Sequence, residues 1–285
     1  MPKIQKMKAE RLLLTGAKAS VPLDLSRPGM PALDSIHDDK TTFRPKAGGP
    51  TYRILKTTEV DAYETTPAAM ALATVLKGKK APKASAITAA ARKPTPTPVA
   101  GGDNFAGTAR KAAKLSIAQA KTVTFNDLST LIASLPSVAS MVKLNIPTTA
   151  GSNRVSQENR NIRVTGFLFA ASREADNDFH LIVGRDPKAG QEMYMTMEIS
   201  GLPPSSYPAF GALNTARNAY KKFFGTKNLP GAGYHFYQPP VPVQIDGSLF
   251  FDATHSTGQA PGPPSLKSRM PTIFEVHPIT NIKLG

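Results

Sequence analysis

From Ile162 to Leu284 apolar residues recur with a period of two, and this alternation constrains the fold more than any other feature of the chain. Val164–Ala171 is an almost unbroken apolar run. Phe179, Leu181 and Val183 alternate with His180 and Ile182, and Met193, Met195, Met197 and Ile199 alternate with Tyr194, Thr196 and Glu198. The period then changes: Phe210, Leu213, Ala216, Arg217, Tyr220, Phe223 and Phe224 share one face of a predicted helix. A Pro/Gly-rich loop, Gly225–Pro240, leads to Val241–Asp252, where Val243, Ile245, Gly247, Leu249 and Phe251 share a face. A long loop, Ala253–Pro271, precedes a last strand, Thr272–Leu284. Three strands, one helix and two strands predict a mainly β domain, a five-stranded OB-like barrel with one helix. A six-element α+β sheet is the competing arrangement.

Ahead of residue 162 the pattern is weak. Residues 1–124 read as a basic, Pro/Ala/Lys-rich arm and linker, largely extended with short helices. Residues 125–161 read as a short helix and connector, and 162–285 as the β domain. Thr51–Lys56 has the makings of a short strand. Thr66–Lys77 suits a helix capped by Thr66 with Pro67 in its first turn. Gly78–Gly107 lacks the apolar surface to offset ordering entropy and reads as a linker. Leu128, Leu131, Ile132 and Leu135 follow helical spacing, with Asn126 or Asp127 placed to cap. The break in pattern near Asn145–Gln157 predicts that a chain beginning near Ser152 folds on its own.

The charge is just as uneven. The 285 residues carry a net +15, of which residues 1–150 supply +12. Between Lys77 and Lys121 ten basic residues face Asp103 alone. Lys77, Lys79, Lys80, Lys83, Arg92, Lys93, Arg110, Lys111, Lys114 and Lys121 therefore form a candidate polyanion-binding set, acting through phosphate neutralisation and counterion release. The chain has no cysteine, which excludes disulfides and thiolate metal sites. No run approaches the ~20 apolar residues of a membrane span. The apolar run Leu12–Leu14 is far shorter than the roughly 7–15 residues of a signal-peptide core. These features predict no membrane partner and a cytoplasmic protein, or one within an intracellularly assembled particle.

Specific chemistry is concentrated in three phrases: Asp176–His180 (DNDFH), Phe250–His255 (FFDATH) and Phe274–Pro278 (FEVHP). They supply the ligand or metal candidates Asp176, Asp178, His180, Asp252, His255, Glu275 and His277, all at predicted strand ends. In an OB-like barrel the loops that carry them meet at one rim. Alternation predicts Phe274, Val276 and Ile282 inward and Glu275 and His277 outward. Imidazole with carboxylate suits a divalent metal or acid–base work, and equally a hydrogen-bond network that pins loops. No HExxH-like motif selects among these, so the catalytic residues are unknown and enzymatic activity is undecided. Arg217, on the apolar face of its helix, is expected to pack and to pair with an acid such as Glu198. Tyr220 is expected in the core, with Tyr194 either packed or free to stack on bases. Gly231–Tyr237 lacks both phosphate-loop spacings, which leaves His235 as an exposed loop histidine. His37 carries no signal.

Over residues 162–284 the three phrases resemble a family of uncharacterised bacterial proteins sharing a D-x-D-x-H strand start, an F-F-D-x-x-H strand end and a terminal E-[hydrophobic]-H-P. The resemblance implies a small β-barrel domain and no activity. Three functional classes follow from the residues. The first is a non-catalytic nucleic-acid or polyanion-binding protein, with the arm for affinity and the barrel for ligand. The second is an assembly component whose arm orders against neighbours in a homo- or hetero-assembly. The third is a metal-dependent, nuclease-like hydrolase.

Overall fold

Leu168, Leu181, Met197, Ile245 and Val276 each stand in a different strand and are all fully buried, and they mark the centre about which the chain folds. The computed structural model describes residues 23, 27–61, 102–107, 111–112, 114–147, 153–253 and 261–285. Within these the protein is mainly β, a nine-stranded sheet with few helices. The strands are β1 (Ile36–Asp38), β2 (Thr42–Phe43), β3 (Tyr52–Thr57), β4 (Thr122–Phe125), β5 (Asn161–Arg173), β6 (Phe179–Gly184), β7 (Tyr194–Ile199), β8 (His235–Phe251) and β9 (Phe274–Leu284). The α-helices are α1 (Leu128–Ala133), α2 (Val138–Val142) and α3 (Phe210–Phe224).

Five strands pair in a cycle. β5 pairs antiparallel with β6, β6 antiparallel with β7, and β7 parallel with β9. β9 pairs antiparallel with β8, which pairs antiparallel with β5. β8 is long enough to serve three neighbours: its start also pairs with β3, from Arg53↔Gln238 to Lys56↔His235. β1 and β2 extend the sheet beyond β3, and β4 adds in parallel to β5.

Strands β5 to β7, β9 and helix α3 fall where the apolar pattern predicts. β8 begins at His235, six residues before the predicted Val241, because β3 and β5 supply backbone partners to a segment whose Pro and Gly content reads as loop. The predicted short strand near Thr51 is β3, with Tyr52, Ile54 and Leu55 fully buried. Phe43 and Tyr52 stack at 5.4 Å, and Phe43 packs on Phe224 of α3 at 5.1 Å. Residues 27–61, read from sequence as arm, thus contribute to the main core. The reason is non-local: a strand of this length reveals itself through a partner far along the chain. The helix at 128–135 is present as α1, and Asp127 caps it by accepting from the Ser129 N–H. The predicted helix over Thr66–Lys77 and most of the Gly78–Gly107 linker lie outside the described residues.

α3 packs on β7 and β9 and places Ala216, Tyr220 and Phe224 in the main core, while Leu213 packs with Leu115 and Ala209 in a second cluster. Tyr220 is fully buried against Phe179 and Phe224, at ring distances of 4.9 and 4.8 Å. The helix ends where Gly225 adopts φ 71°, a conformation glycine reaches without steric cost, and its N–H donates to Lys221 O. Arg217 is buried beneath the helix as expected. Its partner, however, is Asp103 at 2.8 Å rather than Glu198, and its guanidinium lies 4.5 Å from the Phe179 ring centre. Tyr194 is buried, packed edge-on to Phe169, with its hydroxyl donating to Glu192.

Candidate functional site

The strand registers assemble one polar cluster inside this apolar framework. His180 of β6 stands directly opposite Glu198 of β7. β7 runs parallel to β9 with Met197 level with Val276. Glu198 therefore shares a face with Glu275 and His277, since residues two apart in a strand point the same way and neighbouring strands lie about 4.8 Å apart. The β5–β6 turn adds Glu174, Asp176 and Asp178. That turn closes through Asn177, whose φ of 71° asparagine tolerates better than most residues, and whose N–H donates to Glu174 O.

A strap from the basic segment covers this face. Leu202 N–H donates to Asp103 O, Phe105 N–H to Leu202 O and Ala106 N–H to Asp176 O. Gly201 permits the approach: a Cβ there would stand 2.6 Å from Phe105 Cα. Further along, the Arg154 guanidinium donates to Lys114 O, Ser116 O and His277 O and so ties the strap to β9. The strap delivers Lys111, whose Nζ lies 2.9 Å from Asp176 Oδ2, 3.1 Å from Asp178 Oδ2 and 3.0 Å from Glu198 Oε1. Lys114, fully buried, pairs with the equally buried Glu158 at 3.6 Å. Lys111 and Lys114 are thus corrections to the exposed basic set: both turn inward. Lys121 is exposed, and Lys77, Lys79, Lys80, Lys83, Arg92, Lys93 and Arg110 lie outside the described residues.

The two imidazoles of the cluster are held differently. His180 Nδ1 lies 2.6 Å from Glu174 Oε1, with the Tyr234 hydroxyl at 3.3 Å. His277 Nδ1 lies 2.8 Å from Glu198 Oε2 and 3.4 Å from Ser200 Oγ. Gly201 N–H donates to Asp178 Oδ1 at 2.6 Å. His180 Nε2, His277 Nε2 and Glu275 Oε2 are shielded from solvent and find no hydrogen-bond partner among the described residues.

Burial sets the protonation of the cluster, and neighbouring charges modify it. Desolvation, reinforced by Asp176, pushes Asp178 well above the usual carboxylate range. Desolvation, with Glu198 and Asp252 adding repulsion, does the same to Glu275. Desolvation also opposes ionisation of Glu198, but Lys111 and His277 outweigh it and hold this carboxyl below its ordinary range. Burial works against charge on Lys111 too, and Asp176, Glu198 and Asp178 override it and keep the ammonium. For His180 burial loses to the Glu174 carboxylate, which lifts the imidazole to about 9. For His277 burial wins, and its pKa falls below the ordinary histidine value. One ammonium and two imidazoles thus face five carboxylates, two of which are stabilised as acids.

Of the sequence candidates, Asp176, Asp178, His180, Glu275 and His277 come together. Asp252 lies next to them, near Glu275, with its N–H donating to Ile273 O. His255 lies outside the described residues. Glu275 and His277 do not face outward as alternation suggested: both strand faces are buried, one by the core and the other by the strap. His235 is likewise buried, at the start of β8 rather than in a loop, and His37 is exposed. Sequence reasoning missed Glu198, Glu174 and Lys111. For Glu198 a signal existed, a single acid in the otherwise uncharged strand YMTMEI. For Lys111 nothing in the sequence marks it among ten basic residues as one that turns inward. Three residue groups place His and carboxylate donor atoms within 4.8 Å of one another: Asp61–Glu174–His180, Asp178–Glu198–His277 and His180–Glu198–Glu275.

Fold and cluster together define a mainly β protein with a buried carboxylate–imidazole centre. No family model, no curated protein and no solved structure matches this chain.

Proposed function

We propose that this chain is a non-catalytic binding protein for nucleic acid or another polyanion, built on an OB-like barrel. The carrying observation is where the charges go. Among the described residues the interior takes up six carboxylates, Glu59, Glu158, Asp178, Glu198, Asp252 and Glu275, against two cations, Lys114 and Arg217. Counted at formal charge these residues sum to −4, so the rest of the chain carries +19 against a formal total of +15, and the protonation of Asp178 and Glu275 alters only the interior count. Folding therefore makes the protein more attractive to polyanions than its composition suggests. The cyclic pairing of β5, β6, β7, β9 and β8, with α3 between β7 and β8 along the chain, supports the barrel reading. The kinship suggested by the three phrases belongs to the same proposal, since those phrases supply Asp178, His180, Asp252, Glu275 and His277.

The test is salt-dependent binding of the full chain to duplex and single-stranded oligonucleotides. Each phosphate contact should steepen the dependence of log affinity on log salt by about 0.9 on duplex DNA. Replacing Lys77, Lys79, Lys80, Lys83, Arg92 and Lys93 by Gln should flatten that slope and leave the thermal transition in place. Affinity that ignores salt, or that survives the substitutions unchanged, removes this reading.

A further inference from the structure

We propose that His180, Glu198 and Glu275 form a binding site for one divalent transition-metal ion of the manganese, iron or zinc class. The three donors come from three neighbouring strands and are 1–2 % exposed. Their donor atoms lie within 4.8 Å of one another. Ligands about 2.1 Å from a shared ion stand at most about 4.2 Å apart, so modest side-chain rotation closes the site.

Two observations beyond proximity point to a ligand. First, His180 Nε2 and Glu275 Oε2 are buried and have no hydrogen-bond partner among the described residues. An orphaned buried polar atom costs about 1–3 kcal/mol, and native interiors seldom tolerate two in one place. Second, His180 is held as metal-binding histidines are held. Its other ring nitrogen is tied to the Glu174 carboxylate at 2.6 Å, which fixes the ring and leaves Nε2 as the free donor. Glu198 is fixed from two sides, with Lys111 3.0 Å from Oε1 and His277 Nδ1 2.8 Å from Oε2, so its carboxylate is held in place beside His180 and Glu275. On binding, a dication displaces the protons held by His180 and Glu275, and the neutral imidazole and two carboxylates that result balance its charge. The imidazole selects transition metals over magnesium or calcium, which prefer all-oxygen shells. The neighbouring group Asp178–Glu198–His277 is less suited, because the Lys111 ammonium contacts two of its three members, Asp178 Oδ2 at 3.1 Å and Glu198 Oε1 at 3.0 Å, against one in the proposed set.

The experiment uses the full chain, stripped with chelator and titrated with Mn²⁺ alone, read by calorimetry and pulsed electron paramagnetic resonance. One ion per chain is expected, with nitrogen hyperfine coupling from a single imidazole. Glu275→Gln and Glu174→Gln should each weaken binding at least about tenfold, with circular dichroism unchanged. The coupling should vanish in His180→Gln and persist in His277→Gln. Failure of the folded, stripped protein to bind Mn²⁺ overturns the assignment. So does binding without nitrogen coupling, an outcome readable on the unsubstituted protein even if a variant does not fold. Coupling lost with His277 and kept without His180 overturns it in favour of the neighbouring group.

Discussion

Arg217 shows how much one buried side chain can hold. Its guanidinium pairs with Asp103 at 2.8 Å, donates to Ser200 O at 3.1 Å and covers the Phe179 ring. It thereby joins α3, β7 and the strap. Arg217→Ala is expected to cost about 3 kcal/mol, the low end for breaking a buried pair, because Lys221 remains at 2.7 Å to hold Asp103. Urea denaturation of both proteins measures this. His235 gives the molecule an acid-side sensitivity. Burial, with Lys56 adding repulsion, depresses its pKa to about 4. A depressed histidine contributes stability that is fully present above its unfolded value near 6.5 and is lost as pH falls through about 4. The melting temperature should therefore drop between pH 6.5 and 4, and His235→Gln should make that drop shallower.

At the scale of elements the strap is the unusual part. The described residues between 102 and 118 belong to no strand of the sheet, yet they close the face that carries Glu198, Glu275 and His277. Their backbone bonds to Leu202 and Asp176 depend on the bare Cα of Gly201. Gly201→Ala would place a methyl group 2.6 Å from Phe105 Cα, a backbone atom that cannot rotate away. The expected outcome is a loss of about 1–3 kcal/mol from overpacking, together with faster proteolytic cleavage in the strap. An equal cleavage rate in both proteins would show that the strap does not depend on this approach.

At the scale of the molecule the question is which parts can stand alone. The sequence pattern predicts a self-sufficient unit from residue 152 onward. In the structure β3 supplies Tyr52, Ile54 and Leu55 to the main core, and β4 pairs with β5. Lys111 and Lys114 neutralise buried carboxylates. A chain beginning at residue 152 would expose that core face and leave Glu158 and Glu198 without their ammonium partners, at several kcal/mol for each uncompensated charge. It should show no cooperative thermal transition. A sharp transition near that of the full chain would mean that the N-terminal half merely decorates an independent domain.

The strands β5, β6, β7 and β9 and the helix α3 were legible in the sequence because burial of one face imposes a period that any window of ten residues reveals. His180, Glu275 and His277 were legible for a related reason, as titratable residues interrupting apolar strands. What only the tertiary structure decided is non-local. Whether β3 joins the sheet depends on a partner some 180 residues away. Whether Glu275 and His277 face water or protein depends on the strap. Which lysines of a basic run turn inward depends on distant carboxylates, those of the β5–β6 turn and β7 for Lys111 and Glu158 for Lys114. Periodicity reports on one face of one element, whereas the covering of the other face and the pairing of buried charges are properties of the assembled chain.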